Sequence, residues 1–495
     1  MNAVTPFDAV VDVLIVGAGI SGIGFAVHLS SKHPQKSFVI LDRRSQPGGT
    51  WDLFRYPGIR SDSDMHTLGF AFAPWKHEKA IADGPAILDY LNEITDAHGL
   101  RPHMRFDHKV TSAAFDSSSG LWTVTAETAA GETLRLQARF VFMGAGYYDY
   151  DTPHDAAFAG ADVFKGRIVH PQFWPSDLDY QNKNVVVIGS GATAVTIVPA
   201  MADSGAGHVT MLQRTPTWMI SRPAKNGLAN FMRKVMPETV AYAITRKINI
   251  FLQDLMFKRA RHQPEKVKAA LEKHLREILG AHFDPEAFTP PYNPWEQRLC
   301  LVPDSDFFNA IKRGKAEVVT DHVERFDETG VVLKSGKHLD ADIIVTATGL
   351  KLAVAGKIAV SVDGAPVDFA TRFYYRNCMF SNVPNFALVF GYLNASWTLR
   401  VDIIAEYLCR LFSEMDRKGV QVATPVMTEA GAPEEDDIFD FSSGYIQRSK
   451  HLLPKNAKTL PWRLNQDYRR DKEDMRSAPI DDGVIQFSKA RVEAE

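Results

Sequence analysis

The sequence predicts an α/β protein with two Rossmann-like dinucleotide-binding domains, the second of which carries a helical insertion. Two glycine-rich turns support this prediction, because each follows a short apolar strand and begins a helix. The turns lie at residues 17–22 and 189–194 of a chain of 495 residues. The third observation is a basic stretch with helical periodicity between residues 225 and 280. This length exceeds one ordinary hydrophobic core, so two or three domains are expected.

The first turn reads Gly17-Ala-Gly19-Ile-Ser-Gly22 and follows the apolar run Val11–Val16. Gly17 permits the turn, Gly19 lets the backbone approach a pyrophosphate, and Gly22 allows the helix to pack closely on the strand. The helix N-terminus offers free N–H groups to phosphates. Asp42 ends the next strand, 20 residues after Gly22. An acid at this position accepts a hydrogen bond from a ribose hydroxyl.

The second turn reads Gly189-Ser-Gly191-Ala-Thr-Ala194, with alanine in place of the third glycine, which is an allowed variant. Arg214 follows the next strand, 20 residues after Ala194, where the first repeat has its acid. Arginine can bind a 2′-phosphate that a carboxylate would repel. The two turns therefore predict an FAD site first and an NADPH site second. The alternative for Arg214 is a solvated charge at the end of a strand.

The bulk composition is that of a soluble globular protein, with 45% apolar and 23% charged residues. A net charge of −3 gives no reason to expect a nucleic-acid partner. The cysteines Cys300, Cys378 and Cys409 are too far apart for a zinc ribbon or a redox dithiol, so no metal site is predicted. The N-terminus lacks the basic region of a signal peptide, and we expect a cytoplasmic protein.

The order of the motifs predicts a domain division. We assign residues 1–150 and 351–495 to the FAD-binding domain, 151–217 and 297–350 to the NADPH-binding domain, and 218–296 to the helical insertion. The tail beyond Glu429 is polar with scattered aromatic residues, which favours packing on the surface of the protein. These aromatic residues are Phe439, Phe441, Tyr445, Trp462 and Tyr468.

The insertion contains amphipathic helices interrupted at Pro237 and Pro264. Their apolar residues recur at helical spacing from Ile244 to Leu255 and from Val267 to Ile278. We favour the interpretation that these stripes pack on the NADPH domain. The alternative is a helix that contacts a membrane surface, because basic residues accompany it: Arg246, Lys247, Lys258, Arg259 and Arg261.

Between the two turns lies the stretch Phe164-Lys-Gly166-Arg-Ile-Val-His170-Pro-Gln-Phe-Trp174-Pro175. It closely resembles the fingerprint F-x-G-x-x-x-H-x-x-x-W-[PD] of Baeyer–Villiger monooxygenases. The stretches Gly48–Asp64, Gly146-Tyr-Tyr and Asn394-Ala-Ser-Trp-Thr are similar to the subgroup of the mycobacterial ethionamide-activating monooxygenase. The resemblance spans nearly the whole chain, although the insertion matches only in position and composition.

The resemblance implies a two-domain flavoprotein in which NADPH reduces FAD and O2 adds at the flavin C4a. The resulting peroxyflavin attacks a ketone and yields an ester or lactone, and sulfoxidation is also possible. The resemblance assigns catalysis to Arg298, which stays protonated beside the flavin, and to Asp62, which contacts it. Gln297 stands where most members have lysine. With the turn residues above, the implied cofactor-binding residues are Thr50, Trp51, Tyr56, Asp62, Thr193 and Trp397.

Other functions remain open at this point. A heteroatom oxygenase would use the same cofactors on sulfides, thioamides or amines, and it needs no arginine to stabilise an anion. A disulfide reductase shares the paired turns but needs a cysteine pair beside the flavin, which this sequence lacks. A flavin-binding redox sensor would have no turnover. The alternative to the catalytic roles is that Arg298 is a loop ion pair and Asp62 a solvated turn residue.

Overall fold

The computed structural model describes residues 10–428, 431–437 and 441–490. Its helices are α1 (Ile20–Lys32), α2 (Thr50–Leu53), α3 (Met65–Leu68), α4 (Gly84–Ala97), α5 (Ala192–Asp203), α6 (Gly227–Val235), α7 (Glu238–His262), α8 (Pro264–Leu279), α9 (Pro285–Phe288), α10 (Asp306–Lys312), α11 (Trp397–Lys418), α12 (Gly444–Ser449) and α13 (Tyr468–Ser477).

Its strands are β1 (Val10–Val16), β2 (Phe38–Leu41), β3 (Met104–Arg105), β4 (His108–Asp116), β5 (Leu121–Thr128), β6 (Thr133–Met143), β7 (Arg167–Val169), β8 (Asn184–Ile188), β9 (His208–Gln213), β10 (Met219–Arg222), β11 (Cys300–Pro303), β12 (Ala316–Thr320), β13 (Val323–Phe326), β14 (Gly330–Leu333), β15 (His338–Asp340), β16 (Ile343–Thr346), β17 (Ala359–Val362), β18 (Ala365–Pro366), β19 (Tyr374–Tyr375), β20 (Met379–Phe380), β21 (Phe386–Leu388), β22 (Val422–Pro425), β23 (Glu435–Asp436), β24 (Asn456–Ala457) and β25 (Ile485–Ser488).

The larger sheet has the strand order β18-β17-β4-β5-β6-β1-β2-β3, with β21 beside β6. Strand β1 runs parallel to both β2 and β6, as a dinucleotide-binding unit requires. Strands β4, β5 and β6 form an antiparallel meander. Strands β17, β18 and β21 come from residues after 351 and join this same sheet. The N-terminal and C-terminal parts of the chain therefore build one sheet.

Apolar side chains cover both faces of this sheet. Along β1, Val13 and Ile15 belong to one buried cluster, whereas Leu14 and Val16 belong to the cluster on the other face. Burial on both faces explains why this strand is continuously apolar rather than alternating. Helix α1 packs on the first face, and α11 packs beside it. The start of α1 is thereby held at the carboxyl end of β1, where the first glycine turn lies.

The second sheet is parallel, with the order β12-β9-β8-β16-β7. The apolar pattern of residues 338–345 favours a single strand, but these residues form two, because β15 ends at Asp340 and β16 begins at Ile343. The chain turns between them, where the Asp342 carboxylate accepts the Asn184 N–H at 2.8 Å. This contact directs β16 into the parallel sheet beside β8. We keep the predicted residue ranges as a proposal for the domain boundaries.

The insertion differs from its prediction in two ways. Its range also contains a strand, β10, which pairs in parallel with β11. Its helices break at Pro237 and Pro264 as predicted, and α8 buries its apolar stripe. The prediction that the apolar stripe of α7 packs against the NADPH domain is wrong. This stripe is solvent-exposed, with Ile244 and Leu255 on the outer side. The inner side of α7 packs on α3 instead, because small and polar residues face inward there.

Arg246 is the main polar contact between α7 and the larger sheet's domain. It is buried and donates to the carbonyl oxygens of His66, Thr67 and Gly69 at 2.9, 3.0 and 2.6 Å. Its guanidinium also lies 3.3 Å from the Asp402 carboxylate on α11. A buried arginine is therefore paired with one carboxylate and three carbonyls, which together offset the cost of its burial.

Two further predictions concern the tail and the membrane. Phe441 and Trp462 are buried, so the tail packs on the protein as expected. Phe439 lies outside the described residues. Within the described ranges, no helix combines the length and the apolar character needed to cross a bilayer.

We expect Arg246→Met to lower the free energy of unfolding by about 3–5 kcal/mol, because it leaves Asp402 without its buried cation. Chemical denaturation followed by circular dichroism measures this change. Arg259→Met is the matched control, since Arg259 is exposed on the same helix. Equal stability of the two variants would show that the buried contacts do not hold α7.

Candidate active site

The first glycine turn joins β1 to α1. An added Cβ at Gly22 would overlap the Gly17 carbonyl oxygen, so only glycine allows α1 to pack this closely. Gly19 is the N-cap of α1, and none of the described side chains caps this helix. By contrast, Asp83 caps α4 by accepting the Ala86 N–H at 2.9 Å. The first N–H groups of α1 are therefore available to a phosphate.

Asp42 lies directly after β2 and borders the cavity in front of this turn. Its carboxylate accepts the N–H groups of Ala18 and Arg44 at 2.6 and 2.8 Å. Burial raises the pKa of Asp42, and these two hydrogen bonds act in the opposite direction. A carboxylate has about four acceptor positions, so Asp42 retains capacity for a ribose hydroxyl.

The second turn joins β8 to α5. Gly189 has φ +135°, and a Cβ there would overlap the Ala347 carbonyl oxygen. Gly191 is the N-cap of α5, again without a side-chain cap in the described chain, and a Cβ on it would meet nothing within 4 Å. Ala194 is buried under the turn, whereas Thr193 borders the cavity. This turn therefore leaves open space at its second glycine.

Arg214 lies immediately after β9 and is exposed. Arg448 on α12 lies close to it: partial burial and the charge of Arg214 lower the pKa of Arg448. Sequence reasoning missed Arg448, because nothing local links two residues so far apart in the chain. Two like charges at one edge of a sheet repel each other, and a bound phosphate would relieve this repulsion.

Arg298 and Asp62 lie together although they are 236 positions apart. Arg298 directly precedes β11, and its Nη1 donates to Asp62 Oδ2 at 3.1 Å. About a third of each side chain is accessible, 38% and 33%, because both border the cavity. Burial alone would lower the pKa of Arg298, but Asp62 and the phenols of Tyr445 and Tyr147 raise it. The guanidinium is therefore a permanent cation.

Aromatic side chains form the wall of the cavity around Arg298. Tyr147 stacks on Trp397 with ring centroids 5.0 Å apart, and its hydroxyl lies 2.6 Å from that of Tyr148. Trp397 Nε1 donates to Ser21 Oγ at 2.7 Å. Burial raises the pKa of both tyrosines above the ordinary value, so they stay protonated and can donate hydrogen bonds. Sequence reasoning gave Tyr445 no role at this site, because its position in the distant tail carries no signal.

The loop that carries Asp62 contacts the second dinucleotide unit. The Tyr56 hydroxyl hydrogen-bonds with Thr193 of the second turn. Arg60 forms an ion pair with Asp306 at the start of α10. Burial, and then the charge of Asp62, raise the pKa of Tyr56, so it remains a neutral phenol. The loop therefore joins the two glycine turns physically.

The start of this loop forms a helical turn that the sequence did not predict. Thr50 and Trp51 begin α2, and Thr50 Oγ1 lies 3.2 Å from the Tyr150 hydroxyl. Most of the predicted site residues line one cavity. They are Gly17, Gly19, Asp42, Thr50, Trp51, Tyr56, Asp62, Thr193, Arg298 and Trp397. The predicted residues away from this cavity are Gly22, Gly189, Gly191, Ala194 and Arg214.

The fingerprint stretch links the two sheets. His170 follows β7, and its Nδ1 accepts the Gln172 N–H at 3.2 Å. Gln172 in turn donates to the Asp149 carbonyl oxygen at 2.6 Å, in the segment beside the cavity. Burial lowers the pKa of His170, so it is neutral at pH 7 and is a structural link rather than a charged group.

Comparison with known proteins identifies the family. The sequence model described as flavin-binding monooxygenase-like matches residues 80–356, more than half of the chain. The chain belongs to this family. A second model, of NAD(P)-binding Rossmann-like domains, matches residues 15–83. The predicted α/β class with two dinucleotide units is confirmed.

Relatives of this flavin-binding monooxygenase match along its whole length. The probable FAD-binding monooxygenase AlmA of Acinetobacter baylyi is 47% identical over 479 residues, with 97% of this chain and 96% of the relative covered. The FAD-containing monooxygenase EthA of Mycobacterium tuberculosis is 48% identical over 480 residues, with 97% and 98% covered. The predicted family resemblance and the flavin cofactor are confirmed, and the enzyme is an FAD-dependent monooxygenase.

Solved structures share the fold. A steroid monooxygenase bound to NADP superposes with a TM-score of 0.76 at 22% identity, over 97% of this chain and all of the other. A cyclohexanone monooxygenase bound to ε-caprolactone superposes with a TM-score of 0.74 at 21% identity and the same coverage. These likenesses show that this chain shares the fold of these two structures.

Substitutions at the second turn distinguish space kept for a ligand from space needed by the fold. We expect Gly191→Ala to keep the melting temperature and to weaken binding of NADP+ about tenfold or more, a loss of roughly 1.4 kcal/mol, because the methyl group enters open space. Gly189→Ala should instead lower the stability by about 1–3 kcal/mol, because alanine is strained at its φ. Calorimetric titration with NADP+ and thermal unfolding measure the two effects. Unchanged NADP+ binding by Gly191→Ala would place the dinucleotide elsewhere.

Proposed function

We propose that this monooxygenase uses NADPH and O2 to convert ketones into esters or lactones. The observation that carries the proposal is the Arg298 guanidinium, held by Asp62 on a cavity that residues of both glycine turns border. The net reaction inserts one oxygen atom of O2 beside the carbonyl carbon. The other oxygen atom leaves as water, and NADPH supplies the two electrons.

The residues in place suit both cofactors. Gly17, Gly19 and the uncapped start of α1 would hold the FAD pyrophosphate, and Asp42 its ribose. The second turn would hold the NADPH pyrophosphate, with Arg214 on the 2′-phosphate. When bound and reduced by NADPH, the flavin supplies the activation of O2.

Arg298 contributes a fixed positive charge to the reaction. Insertion of oxygen beside a carbonyl passes through a state with negative charge on oxygen, and a preorganised cation stabilises that state without reorganising. The pKa of Arg298 is raised by Asp62 and the neighbouring phenols, so the charge persists through the cycle. Arginine serves this purpose better than lysine, whose pKa falls readily on burial.

Asp62 orients Arg298 rather than taking part in bond making. Among the described residues, Asp62 accepts one hydrogen bond from Arg298, through Nη1, and Arg298 also lines the cavity. Tyr147 and Tyr148 stay protonated because burial raises their pKa values. One phenol proton is used in the hydrogen bond between the two hydroxyls, so the pair can donate one hydrogen bond to a substrate oxygen and adds no competing negative charge.

We expect Arg298→Ala to keep its FAD and to oxidise NADPH, but to lose ester formation by about 10²–10³-fold, the loss seen on removing one preorganised donor. Oxygen transfer to a sulfide should fall less, because that reaction needs no cation. Product analysis with a ketone and a sulfide, alongside NADPH consumption, measures this separation.

Arg259→Ala is the control for this experiment, since Arg259 is exposed on α7. Ester formation at the wild-type rate by Arg298→Ala would refute the role of Arg298. Activity of the wild-type enzyme on sulfides, thioamides or amines but on no ketone would favour the heteroatom oxygenase instead.

Cofactor preference tests Arg214. We expect Arg214→Ala to raise the KM for NADPH about 10- to 100-fold, the range for losing hydrogen bonds to a charged group, and to leave the KM for NADH almost unchanged. Steady-state kinetics with both cofactors measures the difference. Arg222→Ala, exposed at the end of β10, serves as the control. An equal rise for both cofactors would show that Arg214 does not read the 2′-phosphate.

A further inference from the structure

Exposed large hydrophobic side chains are concentrated on two helices of the insertion. Of the fourteen such side chains in the described residues, eight lie between Leu228 and Leu255. The three on α6 are 54%, 60% and 59% exposed. We call these eight side chains the insertion face: Leu228, Phe231, Val235, Val240, Ile244, Phe251, Leu252 and Leu255.

The insertion face follows the helical repeat. On α6 its residues are spaced by three and four positions, and the adjacent side of the helix is buried through Ala229 and Met232. On α7 the residues again fall on one side, while Tyr242 and Arg246 are buried on the other. Each helix is therefore amphipathic with its apolar side turned to solvent, the reverse of a helix that packs on a core.

The surroundings of this face are basic. Residues 225–262 contain eight lysines and arginines and two acids, a formal charge of +6, and of these cations Arg246 alone is buried, on the inner side of α7. The whole chain has a net charge of −3, so the remainder carries −9. Lys234 and Lys247 are exposed on the two helices, and the Arg469 guanidinium lies 5.1 Å from the ring centroid of Phe251. An apolar stripe bordered by cations is suited to a surface that is apolar inside and anionic outside.

We propose that the insertion face docks on the surface of an anionic lipid bilayer. The apolar side chains of α6 and α7 enter the boundary between headgroups and acyl chains, and the lysines and arginines beside them contact the phosphates. A symmetric dimer through the same face is disfavoured, because it would bring two strongly basic surfaces against each other.

The opposite side of α7 supports the active-site loop. Asn249 Nδ2 and Gln253 Nε2 donate to the two carboxylate oxygens of Asp64 at 2.8 and 3.0 Å. Asp64 lies two residues after Asp62, the partner of Arg298. Docking through the outer side of α7 therefore brings the loop that holds the catalytic pair close to the bilayer, where apolar substrates accumulate.

Co-sedimentation with vesicles tests the proposal. The purified FAD-loaded enzyme is mixed with vesicles of pure phosphatidylcholine or of equimolar phosphatidylcholine and phosphatidylglycerol. We expect binding to the anionic vesicles at least about tenfold stronger than to the neutral ones, and weaker at high salt. The double variant Phe231→Ser/Phe251→Ser should lose most of this binding, and so should Lys234→Glu/Lys247→Glu.

Val163→Ser is the matched control, because Val163 is 49% exposed but lies outside the insertion. FAD content and thermal unfolding confirm that each variant is folded. Absence of binding to anionic vesicles, or binding by the phenylalanine variant equal to that of Val163→Ser, would overturn the proposal. A dimer in sedimentation velocity that depends on Phe231 and forms without vesicle binding would also overturn it and assign the face to a second copy.

Discussion

The arrangement of the cavity centres on one charged arginine in its wall, held by an ion pair with a distant loop. Burial disfavours the charged form of Arg298, yet Asp62 and the surrounding phenols outweigh that cost and hold its pKa above the ordinary value. Arg298 precedes β11 in the second half of the chain, and Asp62 comes from the loop of the first glycine turn. The pair therefore forms only when the two dinucleotide units are correctly placed against each other.

Polar contacts establish that placement. Tyr56 hydrogen-bonds with Thr193, and Arg60 forms an ion pair with Asp306. The fingerprint residue Gln172 donates a hydrogen bond to the Asp149 carbonyl oxygen. These contacts start from two segments, the loop that carries Asp62 and the fingerprint stretch, and converge around one cavity. Because they are hydrogen bonds and ion pairs, their strength depends on geometry, so they fix orientation more sharply than apolar packing alone would. The geometry of the site therefore depends on how the two dinucleotide units contact each other.

The sequence was sufficient wherever the governing interaction is local. The glycine turns, the strands before them and the breaks at Pro237 and Pro264 follow from backbone sterics within a few residues. Arg448 and Tyr445 could not be placed, because they reach the site from the distant tail. The division of residues 338–345 has the same origin: their pattern favours one strand, and the contact of Asp342 with Asn184, distant in the chain, lies between the two strands they form.

The most instructive error is the direction of α7. Hydrophobic periodicity finds the apolar side of a helix but does not say whether that side faces a core. Here the inward side must be polar, because of the groups it contacts. Arg246 donates hydrogen bonds to three carbonyl oxygens and pairs with Asp402, and Asn249 donates a hydrogen bond to the Asp64 carboxylate. A helix whose polar side is used inward has only its apolar side left to present outward. Exposed apolar patches of this kind mark interaction surfaces or promote aggregation. The inward contacts that position the Asp62 loop therefore also leave an interaction surface on the outer side of α7.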